Sequence, residues 1–113
     1  MAPKALRFDA TQVQLALFNL LVNAAQATEG RGQVRVTVED GEQWCDIVVA
    51  DDGPGFDQGA AERLFEPFYT TKHRGTGLGL ATARRVVEMH DGTLTASLGP
   101  HGGAVMRMRL PII

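Results

Sequence analysis

The feature that most constrains this chain is the order of four short segments between Asn19 and Leu80. Asn19 and Asn23 sit inside an apolar helical pattern. Asp51-Asp52-Gly53-Pro54-Gly55 closes a strand-like run, Phe65-Glu66-Pro67-Phe68 follows, and Gly75-Thr76-Gly77-Leu78-Gly79-Leu80 opens a second helical pattern. Glycine and proline punctuate three of the four, so they fix where helices and strands can begin and end.

Asp9 followed by Gln12 reads as a helix N-cap with its capping-box partner. Val13, Leu17, Leu20, Leu21 and Ala24 then recur at helical spacing, which predicts a helix over 10–27. After a breaker stretch at 28–32, Val34, Val36 and Val38 alternate, Asp40-Gly41 offers a tight turn, and 44–50 returns as a second strand. Residues 60–65 suggest a short helix, and 69–76 are polar, basic and unpatterned, predicting a mobile loop. A further helix starts near Leu78, carries Leu80, Ala81, Val86, Val87 and Met89, and closes at Asp91-Gly92. The runs 93–98 and 104–110 alternate as two strands about a turn at 99–103. These elements predict an α/β two-layer sandwich, with a mixed, largely antiparallel sheet and three helices on one face.

At 113 residues the chain fits one domain, 1–113, burying roughly two-thirds of the surface its unfolded form exposes. Apolar residues make up 44%, and no apolar run approaches the ~18 residues of a membrane span, so a soluble chain is expected. Met1-Ala2-Pro3 carries no leader pattern. A net charge of -2 provides no general attraction to nucleic acid, so phosphate binding would have to come from local geometry. The single Cys45 excludes an internal disulfide and a zinc cluster, and reads as a packed or edge thiol.

Asn19 and Asn23 are four apart and share a helix face with Gln12 and Gln26. Taken alone they describe a solvated stripe. Asp51 ends a strand and opens Asp-x-Gly-x-Gly, in which Gly53 and Gly55 allow a sharp turn and close approach to a planar ligand, while the carboxylate can accept from an exocyclic amine. Taken alone this is a turn. Gly75, Gly77 and Gly79 lack the surroundings of a dinucleotide fingerprint or a P-loop. At a helix start their amides suit an anion, and Lys72, His73 and Arg74 precede them either as charge donors or as a solvated basic loop. Phe65 and Phe68 serve equally as core.

Together the four segments resemble the asparagine, first glycine, phenylalanine and second glycine boxes of the sensor histidine kinase catalytic domain. That domain belongs to an ATP-binding family shared with gyrase, the Hsp90 chaperone and MutL. The likeness covers residues 7–111. It implies a Bergerat-type fold holding ATP and Mg2+, with Asn23 giving its carboxamide oxygen to the metal and Asn19 lining the same pocket. It implies that Asp51 reads the adenine amino group beside Gly53 and Gly55. The phosphates would lie along Gly75, Thr76, Gly77, Leu78, Gly79 and Leu80, with Thr71, Lys72 and Arg74 in the lid and Phe65 and Phe68 anchoring it.

Two positions depart from the pattern. Gln26 replaces a lysine and Ala104 a threonine found in many members. His73, His90 and His101 lie outside any His-Glu/Asp context on a long helix, so the resemblance implies an excised catalytic domain. Its expected partners are a parent dimerisation and phosphoacceptor domain, in a homodimer, and downstream a response regulator. Its expected location is cytoplasmic, with a parent anchored in the inner membrane as one option. Two rival readings are an ATPase-driven switch of the gyrase or chaperone type and a serine kinase of the anti-sigma type. Asn19 argues against the first, where a carboxylate base would be needed, and the full phenylalanine box against the second.

Overall fold

A computed structural model describes residues 9–29, 31–57, 59, 61–66 and 79–112. The order is α1 (Ala10–Ala27), β1 (Val34–Asp40), β2 (Trp44–Asp51), a 3-10 turn (Glu62–Phe65), α2 (Gly79–Met89), β3 (Thr93–Leu98) and β4 (Ala104–Pro111). The Asp9 side chain caps α1 by accepting from the Gln12 N–H at 3.2 Å, as the capping pattern predicts.

The four strands form one sheet in the order β1-β2-β4-β3, and every described pairing is antiparallel. The parallel pairing that a mixed sheet requires is thus absent among the described residues. The first hairpin turns on Glu42 and Gln43 rather than on Asp40-Gly41, because Asp40 still pairs with Cys45 and the Gly41 N–H donates to the Trp44 carbonyl at 2.8 Å. The second closes through Gly99 N–H to Gly103 O at 2.7 Å, with Gly102 at φ +95°.

Two α-helices, not three, stand among the described residues. The short helix expected at 60–65 is the 3-10 turn, whose C-cap Glu66 is extended at ψ 138°. Glu66 precedes Pro67, and the proline ring disfavours helical backbone in the residue before it. The expected loop at 69–76 and the helix start at Leu78 lie outside the described residues.

α1 packs on β2 and α2 on β3, with the two helices side by side. Leu20, Val49, Val87 and Met108 are the largest fully buried side chains between the layers. On β2 and β4 the core takes alternate residues (Ile47 and Val49; Ala104, Met106, Met108 and Leu110), as a sheet with one covered face requires. Neither helix covers the edge strand β1. Val34, Val36 and Val38 stay exposed on the helix side, as do Leu15, Phe18 and Val22 on the flank of α1. No helix among the described residues is long and apolar enough to cross a membrane.

Cys45 is partly buried and makes no disulfide. The outer face of the sheet carries a charge cluster. Asp46, 5% exposed, accepts from Arg109 Nε (2.8 Å), Arg109 Nη2 (2.9 Å) and Arg107 Nη1 (2.7 Å), and Arg107 also pairs with Glu39 at 2.6 Å. The Arg109 hydrogen bonds, opposed by burial and aided by Arg107, hold the Asp46 carboxyl below the usual carboxylate range.

Candidate functional site

One end of the sandwich gathers the C-terminus of α1, the C-terminus of β2, the N-terminus of β4 and the N-terminus of α2. Asp51, the last residue of β2, is the centre of this arrangement. Its Oδ1 accepts from the Gly53 N–H at 2.9 Å and from the Ala104 N–H at 3.3 Å. Both bonds fall on one oxygen, leaving Oδ2 without a partner among the described residues. A carboxylate held this way presents a fixed acceptor to a ligand.

The loop after Asp51 fits its surroundings only as glycine. A Cβ on Gly53 would lie 2.8 Å from the Ala27 carbonyl oxygen and 3.1 Å from Asp51 Oδ1. Gly55 adopts φ +76°, and a Cβ there would collide with the Gly102 carbonyl. Gly103 is equally confined, against the Asp51 carbonyl. Close backbone approach therefore brings the 53–55 loop onto both α1 and the β3–β4 turn. Asp52 faces elsewhere and accepts from the Gln33 N–H at 2.9 Å.

Gly79 begins α2 beside Asn19, since a Cβ on it would stand 3.7 Å from Asn19 Oδ1. This places the first asparagine at the positive end of a helix. Asn23 lies one turn further along α1, half-buried, and is hydrogen-bonded or otherwise engaged. Among the described residues no three His, Cys, Asp or Glu side chains converge as a metal site.

Phe65 is buried in the core, while Leu80 is partly buried and packs against it. Phe68, Thr71, Lys72, Arg74, Gly75, Thr76, Gly77 and Leu78 lie outside the described residues. His90 is tied into the scaffold: its Nε2 accepts from the Asp9 N–H at 2.9 Å and its Nδ1 lies 2.8 Å from the Val86 carbonyl, which fits a neutral ring protonated on Nδ1. His101 is exposed in the β3–β4 turn. The contribution of Ala104 through its backbone N–H, rather than a side chain, was not legible in the sequence. The Gly102-Gly103 pair before it was the available signal, because it lets β4 start close to Asp51.

The fold and this site define a family. The chain belongs to the histidine kinase-, DNA gyrase B- and HSP90-like ATPases, matching them over residues 8–113. Its likeness within that family is to sensor histidine kinases. It is 37% identical over 105 residues to the signal transduction histidine-protein kinase AtoS of Escherichia coli strain K12, covering 92% of this chain and 17% of that protein. Among solved structures, the catalytic domain of histidine kinase ThkA has a TM-score of 0.85 and 34% identity, covering 94% of this chain and 70% of that one. Full-length ShkA, solved in complex with AMPPNP, has a TM-score of 0.85 and 30% identity, covering 97% of this chain and 23% of that one. The chain thus has the sequence and fold of the ATP-binding catalytic domain of a sensor histidine kinase, and it spans under a fifth of the length of AtoS.

Proposed function

We propose that residues 1–113 are the catalytic ATP-binding domain of a longer kinase and transfer the γ-phosphoryl group of ATP to a histidine on that kinase's dimerisation domain. The bond from the γ-phosphorus to the leaving ADP oxygen breaks, a phosphorus–nitrogen bond to the imidazole forms, and the imidazole gives up its N–H proton. The phosphoryl group then passes to an aspartate of a response regulator. The parent works as a homodimer with this domain in the cytoplasm. Catalysis of this kind rests on positioning and charge neutralisation.

In this reading Asp51 Oδ2 accepts from the adenine amino group, and Gly53 and Gly55 let the base approach. Asn23 holds magnesium, which when bound offsets phosphate charge, and Asn19 lines the pocket beside Gly79. Thr71, Lys72, Arg74 and the 75–80 segment take the phosphates. Phe65 and Phe68 anchor the lid. The observation that carries the reading is the Asp51 carboxylate, with one oxygen pinned by two backbone N–H groups and the other left for a ligand. The carboxamide of Asn19 is a poor general base, which disfavours a hydrolytic switch.

Incubation with γ-labelled ATP tests this. The chain alone should bind ATP and neither label itself nor release phosphate appreciably, while the parent dimerisation domain added in trans should gain label on histidine. Labelling will be weak because separated domains lose the effective concentration of a tether. Rapid phosphate release by the chain alone, abolished in Asn19→Ala, would refute the kinase reading.

A further inference from the structure

We propose that Asp52 is a positioning residue for the adenine contact: its side chain ends the β1–β2 ladder at Gln33, so that the chain turns at once and carries the Gly53 N–H onto Asp51. The proposal rests on the reading of Asp51 given above, and it assigns a role to a position of the Asp-x-Gly-x-Gly motif which that reading leaves unused.

Asp51 faces Val34 at the last paired position of β1 and β2. One step further, the Asp52 N–H donates to the Gln33 carbonyl at 3.3 Å, as in an antiparallel pair that exchanges two hydrogen bonds. The returning bond is different. The Gln33 N–H donates to Asp52 Oδ1 at 2.9 Å, so a side-chain oxygen stands where the ladder would use the Asp52 carbonyl. Gln33 is thereby satisfied while the Asp52 carbonyl is released from the sheet.

The release bears directly on the residue that follows. Gly53 comes against the Ala27 carbonyl at the end of α1 and donates its N–H to Asp51 Oδ1 at 2.9 Å. Only Asp52 lies between the acceptor and the donor of that bond, so its backbone conformation decides whether the bond forms. With Oδ1 held in this way, Oδ2 is left for the ligand.

Gly32 completes the seat for the Asp52 carboxylate. A Cβ on Gly32 would overlap Asp52 Oδ1 and lie 2.9 Å from Asp52 Cγ. Gly32 does not adopt a positive φ, so its backbone alone would accept a side chain. The carboxylate is the main obstacle to one, with Thr28 Cγ2 at 3.0 Å the other neighbour. Glycine at position 32 therefore makes room for the side chain that turns the chain at position 52.

Titrations of the 113-residue chain with ATP and with adenosine, alongside the NMR shift of the Gly53 amide, test this. Asp52→Ala should lower both affinities in parallel by roughly three- to tenfold, the scale of one hydrogen bond, and move the Gly53 amide. Asp52→Asn keeps an acceptor for Gln33 and should hold both readouts at those of the parent. Gly32→Ala should reproduce the loss by displacing the carboxylate and add little to it in the Asp52→Ala background; it carries the test should Asp52→Ala fail to fold. Parent-like affinity in the folded Asp52→Ala and Gly32→Ala variants, even with lowered stability, overturns the proposal. So does a loss for ATP that spares adenosine, or a pair of losses that simply add. Asp51→Asn separates the two levels of argument: if it abolishes binding while the Asp52→Ala and Gly32→Ala variants bind as the parent does, only the positioning role fails, and if it binds normally, the reading of the site fails as well.

Discussion

Replacing Asp51 by asparagine isolates the proposed adenine contact because the substitution can keep the local fold. The amide oxygen takes the place of Oδ1 and still accepts from the Gly53 and Ala104 N–H groups. The NH2 group then occupies the position of Oδ2 and meets the adenine amine donor to donor. Flipping the amide would restore an acceptor toward the base but turn the NH2 toward two backbone N–H groups, so the flip offers no escape. A hydrogen bond to a charged group is worth about 1.5–3 kcal/mol, and an amine left buried and unpaired costs about 1–3 kcal/mol more. A combined loss of roughly 3–5 kcal/mol corresponds to between about a hundredfold and a few thousandfold in Kd. Isothermal titration with ATP measures it, and the thermal midpoint should move by only a few degrees. A folded variant whose affinity stays within about threefold of the parent, ~0.7 kcal/mol, would remove Asp51 from this role.

Asn23→Ala should lower ATP affinity in magnesium by roughly tenfold, the scale of a contact in a metal's ligand shell, and leave adenosine binding unchanged; equal shifts with and without magnesium would make Asn23 structural. Gly55→Ala should destabilise by about 1–3 kcal/mol in chemical denaturation, because its φ of +76° and the Gly102 carbonyl both oppose a Cβ. Asp46→Asn should destabilise by about 2 kcal/mol at neutral pH, below the full value of its hydrogen bonds because Arg107 and Arg109 are partly exposed. The Asp46 pKa is depressed in the fold, so its contribution is present above the unfolded value of about 3.9 and lost as pH falls through the lower folded value. The gap between parent and variant should therefore close in acid, and a gap constant from pH 7 to 3 would contradict the cluster's role.

Local signals were legible where one element decides them. The Asp9 cap and the apolar spacing of Val13, Leu20 and Ala24 place α1 at 10–27, where it is observed. The alternating runs place all four strands to within a residue at each end. What escaped the sequence depends on residues far apart in the chain. Asp46 reads as an ordinary outward-facing strand residue, and only the return of β4 lays Arg107 and Arg109 over it, 61 and 63 residues away. The approach of Gly79 to Asn19, and the Ala104 N–H bond to Asp51, likewise arise from packing. Of the expected helices, the one at 60–65 is a four-residue 3-10 turn, since the segment is short and runs into Glu66-Pro67. Leu15, Phe18 and Val22, outside the α1 spacing, are apolar yet exposed.

The charge cluster on the outer face lies on the same strand pairing that positions Asp51. β2 and β4 pair residues 55 to 67 positions apart, with Asp46 opposite Arg109 and Val48 opposite Arg107. Sliding β4 by one position would turn Arg107 and Arg109 toward the helices and Met106 and Met108 toward water. A slip of two would keep the faces; in one direction it would set Pro111 opposite Asp46 and carry Arg107 away to face Ala50, while in the other Arg107 would take the place of Arg109. The same alignment sets Val105 opposite Ala50, and with it the Ala104 amide that steadies Asp51 at the far end of the pair. The strand pairing that assembles this ionic cluster is thus the one that gives the Asp51 carboxylate its second backbone donor.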